Sequence, residues 1–249
     1  MNSAVELAVS RLRQDAPIFH SGDVDHSWSA LPATLDLLAR LVEKGQRTLE
    51  IGCGASTVIF AAASTTHTAV SPDPDEHERI RDYCRRIGLD DTGVEFLVGT
   101  SDEVLPTLDS SLWLDVAFID GDHSFPHPIL DWHYVNRHLK VGGVVLADDL
   151  PTPAVGAIGQ YMIASPNWSL LGSADRRAAA FRKLAHKTAY YEFMEDPFNR
   201  APPYYEFLGR REALRLGILH RANRAKARAG ARYPRARRLW RRARRGTTR

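Results

Sequence analysis

Thr48-Leu49-Glu50-Ile51-Gly52-Cys53-Gly54-Ala55-Ser56-Thr57 decides how this chain is read. An apolar, β-prone stretch runs through Glu50 into paired glycines, and a helix-like run over residues 56–63 follows. That order is a strand, a tight turn and a helix N-terminus. Glycines let the backbone turn sharply and let a ligand approach it closely. A helix start offers unpaired N–H groups and a partial positive charge. The turn therefore suits a nucleotide-like ligand. It departs from the dinucleotide fingerprint G-x-G-x-x-G, because Thr57 stands at the third glycine position and Glu50 precedes the first glycine by two. A tight strand-to-helix turn with no ligand is the other reading of this stretch taken alone.

The alternation continues outward from the turn. Residues 29–43 read as a helix that ends near Gly45. Strand-like residues 47–51, 67–71, 94–98, 114–119 and 143–147 are each followed by a helix-like run, at 56–63, 75–87, 102–108, 128–139 and 155–164. Two further strands fit residues 168–171 and 178–183. Repeated strand–helix units imply a mostly parallel sheet with helices on both faces. Ligands in such sheets bind beyond the carboxyl ends of the strands. Ser71-Pro72-Asp73-Pro74-Asp75 follows the second strand, and Gly99-Thr100-Ser101-Asp102 follows the third. Asp120-Gly121-Asp122-His123 follows the fourth, and Asp148-Asp149 follows the fifth. Like charges brought together this way are costly unless a cation or a proton neutralises them. Hard oxygen ligands suit Mg²⁺, with Mn²⁺ and Ca²⁺ as competitors. Structural roles compete at each position. Asp73 or Asp75 suits a helix cap, as does Ser101. Asp122 reads as a turn residue, and Asp148-Asp149 is placed to cap a helix beginning near Pro153.

Taken together, these motifs resemble class I S-adenosylmethionine-dependent methyltransferases. Glu50-Ile51-Gly52-Cys53-Gly54 matches their first motif, E/D-x-G-x-G-x-G, with Ser56 in place of its last glycine. Phe118-Ile119-Asp120-Gly121-Asp122-His123-Ser124, with Gly142-Gly143-Val144-Val145 running on to Asp148-Asp149, resembles the metal-dependent small-molecule branch that includes macrolide-sugar O-methyltransferases. The resemblance spans about residues 28–184. It implies a Rossmann-like doubly wound α/β sheet of seven strands, mostly parallel with the last strand antiparallel, and helices on both faces. It also implies that Glu50, Gly52, Gly54, Ser71, Asp73, Gly99, Thr100, Ser101 and Asp120 hold S-adenosylmethionine. Asp120, Asp148 and Asp149 would hold Mg²⁺, and His123 would be the general base. The implied reaction is methyl transfer to a hydroxyl of a small molecule, a sugar or secondary metabolite. Some close relatives carry a hydroxylase label, but the two-histidine, one-carboxylate set that such chemistry needs cannot be placed in this chain.

Composition sets outer bounds. The 249 residues are 44% hydrophobic, enough for one sizeable α/β domain with additions. No stretch approaches the ~18 apolar residues of a membrane span. Residues 1–14 alternate apolar and charged positions, as a short amphipathic helix does, and lack a signal-peptide apolar core. Cys53 and Cys84 have no metal-type spacing, so a reduced, cytoplasmic setting is expected. The expected organisation is an N-terminal helical cap over residues 1–45 and a cofactor-binding domain over 46–185. An aromatic-rich extension and basic tail fill residues 186–249. From residue 210 onward, 16 Lys and Arg face the single acid Glu212. The rest of the chain is net acidic. The tail raises the alternative of a nucleic-acid methyltransferase that docks through it. It suits an anionic membrane surface or a solvated self-contact as well, and a small-molecule partner is favoured over all of these. His26, Trp28 and Trp132 are flanking aromatics that suit either the site or the core. A catalytically silent cofactor-binding module is the third reading. Association through the N-terminal helix or the tail, giving a homo-oligomer, stays open.

Overall fold

β1 (Arg47–Ile51) is an interior strand of the sheet, flanked by β2 (Thr66–Ser71) on one side and β4 (Leu114–Ile119) on the other. β3 (Val94–Val98) pairs with β2, and β5 (Leu139–Ala147) pairs with β4, all in parallel. β7 (Ala178–Lys183) inserts antiparallel between β5 and β6 (Trp168–Ala174). The strand order is β3-β2-β1-β4-β5-β7-β6, the doubly wound seven-stranded mixed sheet that the alternation implies. The computed structural model describes residues 3–21 and 29–186, with Asp196, Leu214, Ile218, Arg221, Ala222 and Ala225 as isolated positions further on. The chain divides into two compact units, Met1–His186 and Lys187–Arg249, and the first contains the whole sheet with the helices that cover it. His26, Trp28, the aromatic stretch after His186 and the basic tail lie outside the described residues, the isolated positions apart.

The central strands are buried on both faces, so their residues read as continuous apolar runs. Val116 and Phe118 of β4 join one core, while Ala117 and Ile119 join the other. The first core is closed by α1 (Ser3–Asp15), α2 (Pro32–Leu41), α3 (Ala55–Ala62) and α4 (Pro74–Arg86), through Val5, Leu38, Ile59 and Ile80. The second is closed by the single-turn α5 (Ser101–Val104), α6 (His127–His138) and α7 (Pro153–Ala164), through Val135, Ile158 and Met162. Trp132 packs edge-on against Tyr161 at 4.9 Å, and Trp168 lies beside it. No described helix is long and apolar enough to cross a membrane.

Two elements differ from the pattern. The helix expected over 102–108 is one α-turn followed by a 3₁₀ turn, Leu105–Thr107, where Pro106 interrupts the helical hydrogen bonding. β5 begins at Leu139 rather than near 143, with a register shift opposite Leu114 and Val116 that bulges the segment around Gly142 (φ +88°).

Register is what gathers the site. Ile51 pairs with Val70 and Ile119, and Ile119 pairs with Ala147, so the strands end level. Asp120 N–H donates to Ile51 O at 2.9 Å, and Asp148 N–H donates to Ile119 O at 3.1 Å. The residue after each strand thus begins a loop on one common edge.

Candidate active site

The glycine turn is held from below by a buried polar chain. Thr65 donates to Phe60 O at 3.1 Å, and a carbonyl only accepts, so Thr65 receives the Thr48 hydroxyl at 3.1 Å. Thr48 is then free only to accept, which makes His67 Nδ1 the donor across 2.8 Å. His67 Nε2 faces Glu50 Oε1 at 3.1 Å, and the Thr57 hydroxyl donates to that same oxygen. Thr57 in turn accepts the Gly54 N–H at 3.0 Å. Glu50 and His67 have fully buried side chains. Glu50 therefore lies beneath the turn as its anchor, at the end of a chain that fixes Gly54. Gly52 has φ +86°, and a Cβ there would lie 2.2 Å from the backbone oxygen of Asp120. Only glycine lets the ends of β1 and β4 approach so closely. Cys53 is buried, and burial together with nearby Glu50 raises its thiol well above the usual range, so it is a packing residue and not a nucleophile.

At the end of β2 the Ser71 hydroxyl donates to Glu76 Oε2 at 2.6 Å, and His20 Nδ1 lies 2.8 Å from Glu76 Oε1. Asp73 caps α4: its Oδ1 accepts from Asp75 N–H at 2.9 Å, and its Oδ2 pairs with Arg79 at 3.1 Å. The cap weighed for Asp73 is made by its Oδ1. Sequence reasoning missed Glu76 and His20. Glu76 completes an Asp-x-x-Glu capping spacing, the one signal that marks it. At the end of β3, Gly99 N–H donates to Ser71 O at 3.2 Å, Thr100 caps α5, and Ser101 is buried.

The acidic edge lies beyond β4 and β5. His123 spans it, with Nε2 3.5 Å from Asp120 Oδ1 and Nδ1 3.2 Å from Asp149 Oδ2. Asp148 is fully buried; its Oδ1 accepts the Asp149 N–H at 2.8 Å, and its Oδ2 has no hydrogen-bond partner among the described residues. Burial pushes Asp120 up to about 7; Asp148 and Asp149 push the same way while His123 opposes them. The Asp120 carboxylate beside it raises His123, and burial raises Asp148. Asp122 is a turn residue that accepts from Ser124 N–H and Oγ. Neither Asp148 nor Asp149 caps α7, whose N-cap is Thr152.

Arg177 is a third residue that sequence reasoning missed. Its Nε lies 2.8 Å from Asp149 Oδ1 and 3.1 Å from Asp148 Oδ1, and its Nη2 donates to Asp149 Oδ2 at 2.9 Å. β7 runs antiparallel beside β5, pairing Ala179 with Ala147, so the turn before β7 is delivered to the end of β5. Leu150 N–H donates to Arg177 O at 2.9 Å and seats that turn. The expected ligand trio Asp120, Asp148 and Asp149 is therefore not the set that converges. Asp120, His123 and Asp149 are, each with one donor atom within 4.8 Å of the others. Two carboxylates and an imidazole fit a divalent cation, and the nitrogen favours Mn²⁺ or a similar ion over all-oxygen Mg²⁺.

Comparison with known proteins adds a family to this geometry. Residues 49–150 match the family model described as a methyltransferase domain. No curated protein matches the chain. Among solved structures, the cofactor-bound Rv0187 from MTB superposes with TM-score 0.54 at 22% identity, over 74% of this chain and 90% of that one. The O-methyltransferase TomG from Streptomyces achromogenes gives TM-score 0.52 at 20% identity, over 74% and 91%. The SAH-bound methyltransferase PaMTH1 from Podospora anserina gives 0.51 at 17%, over 74% and 89%. At these identities the structures show a shared fold. The family match covers the glycine turn and both acidic stations, so residues 49–150 match a methyltransferase domain, on the fold these structures share.

Proposed function

We propose that this chain transfers the methyl group of S-adenosylmethionine to a hydroxyl of a small molecule, a sugar or secondary metabolite. The observation that carries the reading is the position of His123, 35% exposed, between two carboxylates on the edge that also bears the glycine turn. TomG, which shares the fold, is an O-methyltransferase of tomaymycin synthesis solved with SAM. Gly52 and Gly54 would admit the cofactor, and Glu50 would hold their turn. Ser71 and Asp73 would face the ribose, with Glu76 beside them at the same strand end. Gly99, Thr100 and Ser101 would border the adenine.

The transfer is an in-line displacement: an acceptor O–CH₃ bond forms as the sulfonium S–CH₃ bond breaks. The hydroxyl proton passes to His123, whose imidazolium is held by Asp120 and Asp149. Positioning supplies most of the rest, because the cofactor carries its own leaving group. Asp120, Asp149 and His123 are the residues that would hold a divalent cation, which when bound would lower the acceptor's pKa. A His123 nitrogen that ligates a cation is lost as a base, so the two roles exclude each other at that atom.

Isothermal titration of S-adenosylmethionine and S-adenosylhomocysteine into the full chain, with Mn²⁺ and then with chelator, is the test. Micromolar binding is the expected result, and absence of binding under both conditions overturns the reading.

A further inference from the structure

We propose that Arg177 is the resident cation of the acidic edge and competes with a divalent ion for Asp149. The proposal rests on the methyltransferase reading only in taking this edge as the site. Arg177 Nη2 donates to Asp149 Oδ2 at 2.9 Å, and its Nε, which makes no hydrogen bond of its own among the described residues, lies 2.8 Å from Asp149 Oδ1 as an ion pair. A charge-assisted bond of this kind is stronger than a neutral one. The same Nε lies 3.1 Å from Asp148 Oδ1, so one guanidinium serves both members of the acidic pair. Asp149 Oδ2 also faces His123 Nδ1 at 3.2 Å. Each Asp149 oxygen that a cation would take already has a positively charged or protonated neighbour. The placement is built in: Asp149 itself has φ +55°, and the turn carrying Asp175 (φ +49°) and Arg176 (φ +56°) is seated on Leu150 by its backbone. Left-handed conformations at non-glycine residues persist where the surroundings hold them. Fixed carboxylates and a fixed guanidinium leave little for a cation to organise, and a cation gains Asp149 only by displacing the guanidinium.

The test is titration of Mn²⁺ into the full chain and into Arg177→Gln and Arg177→Lys, followed by calorimetry and by the electron paramagnetic signal of free Mn²⁺. Arg177→Gln removes the charge and the guanidinium together and is expected to bind Mn²⁺ at least tenfold more tightly than the unchanged protein. Arg177→Lys keeps the charge and removes the Nη2 bond to Asp149, and is expected to gain about threefold. A merely structural role would lower the affinity in both. Equal or weaker Mn²⁺ binding by Arg177→Lys overturns the proposal, as does failure of every form to bind millimolar Mn²⁺. If Arg177→Gln does not fold, Arg177→Lys carries the test alone. S-adenosylhomocysteine binding is measured on the same samples. Its absence from the unchanged protein would sink the methyltransferase reading and leave the Mn²⁺ comparison standing.

Discussion

His123 has both ring nitrogens on carboxylates, so its proton affinity is set by Asp120 and Asp149 together. Replacing it by Asn keeps a polar group of similar size and removes the proton acceptor. Turnover of His123→Asn under saturating cofactor should fall by roughly 10²–10⁴-fold, the usual weight of a general base, with S-adenosylhomocysteine affinity unchanged. Full retained turnover would remove the base assignment. Asp131 on α6 makes a different case. It is 1% exposed, neither oxygen has a hydrogen-bond partner among the described residues, and burial pushes it up to about 6. An unfolded Asp titrates near 3.9, so between about 4 and 6 the folded form binds the extra proton. The stability this contributes is greatest at low pH, falls as pH rises through that window, and is fully lost above it. At 1.36 kcal/mol per unit the cost near neutral pH is roughly 3 kcal/mol. Urea unfolding of Asp131→Asn at pH 4 and at pH 7 should show a shallower pH slope than the unchanged protein, and an unaltered slope would locate the linkage elsewhere.

At the scale of elements, the β1–α3 turn is held by buried side-chain hydrogen bonds. Thr57 receives Gly54 N–H and gives its own proton to Glu50, so Thr57→Val strands the Gly54 donor and leaves Glu50 Oε1 with His67 alone. A cost of about 1–3 kcal/mol is expected for the unmet groups, read as a lower urea midpoint, together with weaker S-adenosylhomocysteine binding. Gly52→Ala combines a positive φ with a Cβ on the Asp120 carbonyl and should cost about 2 kcal/mol or more. Both effects follow from a turn that the sequence displays in full, because glycine, acid and helix start are neighbours in the chain. The bounds of β1, β3, β4 and β7 were legible for a related reason: an apolar run between polar turns is a local signal. Arg177 was not legible, since its meeting with Asp149 depends on β7 entering the sheet between β5 and β6. Glu76 lay next to a readable residue, yet only the fold of the β2–α4 loop turns it toward Ser71 and His20. Asp148 drops out of the set that converges, being fully buried, and burial is not a property of spacing.

For the whole molecule, charge is the property that separates the small-molecule reading from a nucleic-acid one. Residues 221–249 hold 13 Lys and Arg and no Asp or Glu, so their removal takes the formal net charge from +3 to −10. A chain that docks on nucleic acid through such a segment loses phosphate contacts and the steep salt dependence that accompanies them. A chain whose acceptor is small and bound at the carboxyl edge keeps its cofactor site and its chemistry, because the glycine turn, the acidic stations and Arg177 all lie before residue 187. The full chain and the 1–220 form should therefore bind S-adenosylhomocysteine equally, while only the full chain is retained on heparin at moderate salt. Incubated with labelled S-adenosylmethionine and total RNA, neither form should transfer label to RNA. Transfer by the full chain that vanishes in the 1–220 form would move the acceptor from small molecules to RNA and give the basic segment the docking role.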